Sequence, residues 1–309
     1  MKQTIGIIDL GTNTFHLLIV RGGDNGYTIL YRDHLAVKLG KGGINNGIIT
    51  PEALRRGVEA LTVFRKMLDS YHVGQVIAIG TSALRNAANS ADVITTVQRE
   101  TGIVVEIISG EREAELIFLG VQSALKLGIE KSLVMDIGGG SVEFIIGNEK
   151  EIFWKQSFEI GGQRLLELFQ RHDPINSEEV KSLDEYFKST VSPLFEALAY
   201  WRPTTLVGSS GSFDTLSEIH CLREGLPFHP DDPETPLTMD GFYAIYKDML
   251  TKNRTERMTM PGMIELRVDM IVVAGCLIRY LIEHYAFRDI RVSSYSLKEG
   301  VLAELNSRA

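Results

Sequence analysis

The stretch Val134–Gly147, VMDIGGGSVEFIIG, runs from a strand through a glycine bend into a second strand. Val134 and Met135 are apolar, Asp136 closes the first strand, Gly138-Gly139-Gly140-Ser141 make the bend, and Val142–Ile146 return to strand formers. Glycines let the backbone come close to a ligand, and successive amides in a bend form a concavity for an anion. A carboxylate beside such a bend repels bare phosphate, so Asp136 calls for a cation between them. Taken alone, the stretch equally fits an ordinary glycine-rich hairpin with Asp136 as a turn residue.

A second copy tips the balance. Ile7–Ile19, IIDLGTNTFHLLI, repeats the layout: Asp9 aligns with Asp136, Gly11 with Gly138, Thr14 with Ser141, and Leu17–Ile19 with Phe144–Ile146. Thr12, Asn13 and Thr14 stand where the other loop has Gly139, Gly140 and Ser141. Two related loops imply a duplicated domain whose halves grip one anionic ligand. The outline resembles the acetate/sugar kinase, Hsp70 and actin superfamily. That resemblance implies an α/β fold of two actin-like (ribonuclease H-like) domains flanking a cleft.

The chain has 309 residues, enough for two domains with their own cores. Its 44% hydrophobic and 23% charged content is that of a globular protein. No apolar run is long enough for a bilayer and no signal peptide is evident, so the expectation is a cytoplasmic protein without a membrane partner. Two cysteines, Cys221 and Cys276, form no framework or metal spacing, which suits a reducing compartment. A net charge of −8 argues against a nucleic-acid partner held by a broad basic surface, while leaving room for a polyanion at a local cluster or metal. The seven histidines show no ligand-like pattern.

Along the chain, residues 4–34 read as a three-strand meander. Thr50-Pro51 opens a helix to about Tyr71, with Leu54, Val58, Leu61, Phe64 and Leu68 on one face. Lys38 and Lys41 in the preceding loop either face phosphates or decorate an exposed basic loop. Strand Val76–Gly80 leads to Thr81-Ser82-Ala83-Leu84-Arg85, where Ser82 and Arg85 suit phosphate oxygens and Arg85 equally suits a structural ion pair. A helix over 90–101 and a strand over 104–108 follow. Ser109 or Gly110 then caps a helix with Glu111 and Glu113 in its first turn, either as dipole-favoured capping charges or, for Glu113, as a base for water. Beyond the Asp136 hairpin come a strand over 151–160 and helices over 162–171 and 177–200. Strand Thr205–Val207 enters Gly208-Ser209-Ser210-Gly211-Ser212, a third loop suited to phosphate or a nucleobase near a helix N-terminus. His229–Pro236 reads as an exposed, idle acidic loop. Helices over 239–251 and 266–286, a strand at RDIRVSS and a helix over 297–305 complete the chain. The seam falls near residues 123–131, giving domains of 1–123 and 124–309 with the last helix packing back on the first.

The ordered set IIDLGTNTFHLLI, VKLGKGG, GTSALRNAANS, ISGEREAELIFLGV, VMDIGGGSVEFIIG, VGSSGS, RVDMIVVAGCLI and VSSYSLKEGVL resembles the exopolyphosphatase/guanosine pentaphosphate phosphatase (Ppx/GppA) family over nearly the whole chain. It looks like the short two-domain form. The resemblance implies metal-dependent cleavage of a terminal phosphoanhydride and a homodimer. Glu113 would be the base, and Asp136 and Glu143 would hold magnesium or another divalent cation, with Asp9 nearby. Gly11, Thr12, Asn13, Thr14, Ser82, Arg85, Gly138, Gly139, Gly140, Ser141, Ser210 and Gly211 would hold phosphates. Three departures from the family pattern involve four positions: Arg112 replaces the first glutamate of a pair and is expected to reach a phosphate, Ser210 replaces a glycine, and Val268 and Met270 alter a packing motif.

The expected substrate is inorganic polyphosphate, cut at its end to release orthophosphate. Guanosine pentaphosphate, losing its 5′ terminal phosphate, is the enzymatic alternative. A non-catalytic nucleotide or polyphosphate sensor is the alternative of another class.

Overall fold

The computed structural model describes residues 3–23, 26–229 and 232–307. The chain divides into two compact units, one running up to Gly120 and resuming at Leu297, the other spanning Val121–Ser296.

The first unit holds β1 (Thr4–Leu10), β2 (Thr14–Gly23), β3 (Gly26–Ala36), β4 (Gln75–Gly80) and β5 (Val105–Ile107), in the order β3-β2-β1-β4-β5. β1, β2 and β3 pair antiparallel, and β4 and β5 are added in parallel. Helix Pro51–Ser70 starts where the sequence places it: the Thr50 side chain accepts from the Ala53 amide and Pro51 needs no N–H partner. Its Leu61, Phe64 and Leu68 bury against Leu10, Phe15 and Leu17, with Val93 and Val97 of helix Ser90–Thr101. Helix Leu297–Ser307 lies against β1 and β3.

The second unit holds β6 (Ser132–Ile137), β7 (Val142–Gly147), β8 (Ile152–Phe158), β9 (Thr205–Ser209), β10 (Glu234–Thr235) and β11 (Asp289–Ser293), in the order β10-β11-β9-β6-β7-β8. Read from β8, the order β8-β7-β6-β9-β11 repeats that of the first unit, with the same antiparallel meander followed by parallel strands. The fold is therefore α/β with two actin-like domains. β6 and β7 are buried at every position, which explains their near-continuous apolar sequence.

Four details depart from the sequence reading. The helix expected over 177–200 is two, Ser177–Thr190 and Ser192–Trp201. Pro193 has no N–H to donate, so it sits in the first turn of a new helix and forces the break at Val191. The first of the two is capped by Asn176, whose side chain and that of Glu179 exchange bonds with each other's backbone N–H. The helix expected over 266–286 begins at Ile271, and a short helix, Arg254–Met258, precedes it. Its buried Arg257 donates to Asp173 and to the carbonyl of Val268, which lies in the run of turns before Ile271. In the loop expected to be idle, Glu234–Thr235 adds an edge strand to β11, and Glu234 takes two bonds from Arg291, at 2.6 and 2.8 Å. Pro230 and Asp231 of that loop lie outside the described residues. Cys221 and Cys276 are buried and unpaired. No helix among the described residues is long and apolar enough to cross a membrane.

Candidate active site

The first loop is a tight closure between β1 and β2. The Gly11 N–H donates to the Thr14 carbonyl at 3.1 Å. A Cβ on Gly11 would lie 2.7 Å from that oxygen, so only glycine allows the closure. Thr12, Asn13 and Thr14 are buried. Their carbonyls face inward: that of Asn13 accepts from the Val37 and Lys38 amides and that of Thr12 from the Gly40 amide. Arg56 braces this strap by donating to the Val37 and Lys38 carbonyls. Thr14 Oγ1 is buried with no hydrogen-bond partner among the described residues, a donor held ready for an acceptor. Asp9 is half-buried on β1, opposite His16.

In the same unit, β4 ends in a one-turn helix, Ser82–Arg85. Ser82 is buried, and Arg85 Nη1 sits 2.7 Å from Glu113 Oε2. Both ion-pair partners are largely buried, with side-chain exposures of 16% and 10%. Both readings of Arg85 thus start from one arrangement: it is an ion-pair partner, and that partner is the candidate base. Ser109 caps the helix Gly110–Ala124, accepting from the Arg112 N–H. Glu113 therefore lies in a helical first turn, where a negative charge is favoured, and a guanidinium fixes its direction.

The second loop repeats the first. The Gly138 N–H donates to the Ser141 carbonyl, again at 3.1 Å. The amides of Gly162, Gln163 and Gly161 take the carbonyls of Gly138, Gly139 and Gly140, and Arg164 Nε adds a bond to the last. With those carbonyls turned in, the amides of Gly139, Gly140 and Ser141 have no partner among the described residues. That is the arrangement an anion-binding concavity needs.

Strand register assembles the carboxylates. Ser209 of β9, Asp136 of β6, Glu143 of β7 and Ser157 of β8 are successive partners across the sheet, which puts them in one row. Asp136 and Glu143 are buried, at 5% and 1% exposure. Directly opposed like charges repel, with Cβ atoms about 5 Å apart. Hydroxyls offset part of the cost: Ser209 and Ser296 donate to Asp136 Oδ2 at 2.9 and 2.6 Å, and Ser157 donates to Glu143 Oε1 at 2.6 Å. Arg267 supplies positive charge: burial pushes its guanidinium below the usual value, against Asp214 and Asp136, which raise it.

The third loop differs from the first two. Gly208 and Ser209 belong to β9, and Gly211 already opens helix Gly211–Glu224. Ser210 adopts φ 73° and ψ 169° without a capping bond. A Cβ on Gly211 would fall 2.0 Å from Arg267 Nη2, so a guanidinium rests on that glycine.

Among the described residues no three His, Cys, Asp or Glu side chains are grouped to hold a metal. Two buried carboxylates in a row are what magnesium accepts, since it keeps waters and phosphate oxygens in its other positions.

A sequence model of the Ppx/GppA phosphatase family matches residues 18–309. The chain belongs to that family. The crystal structure of an exopolyphosphatase from Cytophaga hutchinsonii is similar, with 47% identity, 99% of both chains covered and a TM-score of 0.96. The Aquifex aeolicus Ppx/GppA family member superposes with a TM-score of 0.80 at 25% identity, covering 100% of this chain and 99% of that one. A Haemophilus influenzae protein whose name proposes an exopolyphosphatase is 28% identical over 308 residues, covering 98% of this chain and 91% of its own length.

Sequence reasoning missed Ser157, Ser209 and Ser296 as carboxylate partners, and Gly40 and Gly161 as backing for the loops. A Cβ on Gly161 would lie 2.4 Å from the Gly139–Gly140 backbone, and one on Gly40 would lie 2.5 Å from Thr12 Cγ2. The glycines were visible in VKLGKGG and EIGGQR, but only packing gives them a role. The Arg112 expectation is corrected: its guanidinium forks onto Glu304, both contacts 2.7 Å, with Glu115 at 3.3 Å, and so is directed to carboxylates rather than to a phosphate.

Proposed function

We propose that the protein hydrolyses the terminal phosphoanhydride of inorganic polyphosphate and releases orthophosphate. The observation that carries this reading is the pair of loops with equal closure, Gly11–Thr14 and Gly138–Ser141, each with its carbonyls turned inward. The substrate class follows from the exopolyphosphatase of Cytophaga hutchinsonii, matched over nearly all of both chains.

Phosphoryl transfer depends on positioning and charge neutralisation more than on covalent help. In this reading Asp136 and Glu143 hold magnesium, which neutralises charge on the phosphates when bound. The amides of Gly139 and Gly140, with Thr14 and Ser141, orient terminal phosphate oxygens. Glu113, directed by Arg85, takes a proton from water as its oxygen adds to the terminal phosphorus. The bridging P–O bond breaks, its electron pair leaves with the shortened chain, and the terminal group departs as orthophosphate.

The test is phosphate release with magnesium from polyphosphates of several lengths and from guanosine pentaphosphate, beside Glu113→Gln. Loss of a positioned base is expected to slow release by about 100-fold or more. A preference for guanosine pentaphosphate would move the function to that nucleotide. Tight binding of both without turnover would leave a sensor and end the hydrolytic reading.

A further inference from the structure

Helix Gly110–Ala124 and helix Leu297–Ser307 of the first unit meet at one point. A Cβ on Gly300 would lie 1.7 Å from the Leu116 carbonyl oxygen, so glycine is what lets the two backbones touch. One turn before Leu116 in the first helix and one turn after Gly300 in the second, Arg112 Nη2 and Glu304 Oε1 form an ion pair at 2.7 Å. Beneath that ion pair is a cavity of ≈ 340 Å³. Its walls are Leu116, Val301 and Leu305 from the helices and Ile77, Ile79 and Ile108 from the sheet side.

The rim is chemically uneven. Arg112 is already engaged by Glu304 and Glu115, and the resulting contacts raise its basicity, the Glu304 hydrogen bond most. The exposed side chain of Glu106, across the mouth on β5, makes no hydrogen bond or ion pair among the described residues. An anionic head would meet Glu106 and compete with Glu304, whereas a cationic head gains a partner without breaking the Arg112 pair.

We propose that this cavity is a ligand site for a small aliphatic amine, with its chain against the isoleucines and its ammonium at Glu106. A volume of this size takes a chain of about ten heavy atoms. One wall is the helix that carries Glu113 in its first turn, so a bound amine wedges that helix from Leu297–Ser307 and shifts Glu113 relative to Arg85. The binding half is independent of the proposed hydrolysis, and the rate half rests on it.

Titration calorimetry of the full chain with n-octylamine, n-octanol and n-octanoate, all below micelle-forming concentrations, decides the binding half. Saturable one-to-one binding is expected in the order amine, alcohol, carboxylate. Glu106→Gln should bring amine and alcohol together, and filling the cavity by Val301→Phe or, separately, Ile77→Phe should weaken binding about tenfold or more. Circular dichroism of each variant establishes that it is folded. Absence of saturable binding, equal binding of octanoate, or binding unaffected in both folded filling variants would overturn the site. Phosphate release with and without octylamine then tests the coupling: a kcat change lost in the filling variants supports it, and binding with unchanged kcat overturns it. If no phosphate is released from any substrate, the functional reading fails while calorimetry still decides the cavity.

Discussion

Ser210→Gly is expected to make this protein more stable. Ser210 holds φ 73° and ψ 169°, a region that only glycine enters without strain. The cost of such a backbone in a residue with a Cβ is about 1–3 kcal/mol. Glycine brings its own penalty, because it frees the unfolded chain, of about 0.5–1 kcal/mol. Ser210 makes no side-chain cap bond, so removing its hydroxyl forfeits nothing. The net expectation is a gain of about 1 kcal/mol, read as an upward shift of about 1–3 °C in the melting temperature. Ser210→Ala is the control: it keeps the Cβ and therefore the strain, and should leave stability within about 0.5 kcal/mol of the parent. Urea denaturation followed by circular dichroism, with a thermal melt alongside, measures all three proteins. A glycine variant no more stable than the parent would show that the backbone is not strained. An alanine variant that gains as much would show that the hydroxyl, and not the Cβ, is the source.

Other consequences can be checked on the same protein. Gly161→Ala drives a methyl against the Gly139–Gly140 backbone, 2.4 Å away, and a loop displaced by this much should lose about tenfold or more in kcat/KM while circular dichroism stays unchanged. Glu143→Gln removes one of two opposed carboxylates: magnesium binding by calorimetry should disappear and phosphate release fall by about 100-fold or more, while the metal-free protein melts higher because the repulsion is gone. A lower melting temperature for that variant would refute the like-charge argument. For Glu179, burial disfavours the charge, but the His172 ring and the Asn176 and Arg171 amides outweigh it and hold the carboxyl below the usual 4.5. A depressed carboxyl contributes stability above its unfolded value and loses it as pH falls through the folded one. The stability gap between the parent and Glu179→Gln should therefore be full near neutral pH and close on acidification below about pH 4.

The sequence by itself determined the duplicated architecture. A carboxylate, a glycine bend and a strand recur at Asp9 and Asp136 because a tight closure between two strands leaves few residue choices, and those choices are local. Thr50-Pro51 fixed a helix start for the same reason: cap and first-turn preferences act within a few residues. Pro193 is equally local and equally visible: lacking an N–H, it opens a new helix and divides the one expected over 177–200. What only the tertiary structure decided are the relations across long separations. Asp136 meets Ser209 and Ser296, and Glu143 meets Ser157, because sheet register aligns strands far apart in sequence. Arg112 turns to Glu304 because Gly300 lets the last helix touch Leu116, which no periodicity within either helix encodes. Residue type and spacing set which groups are candidates for phosphate and cation, whereas register and close packing set which of them share a neighbourhood.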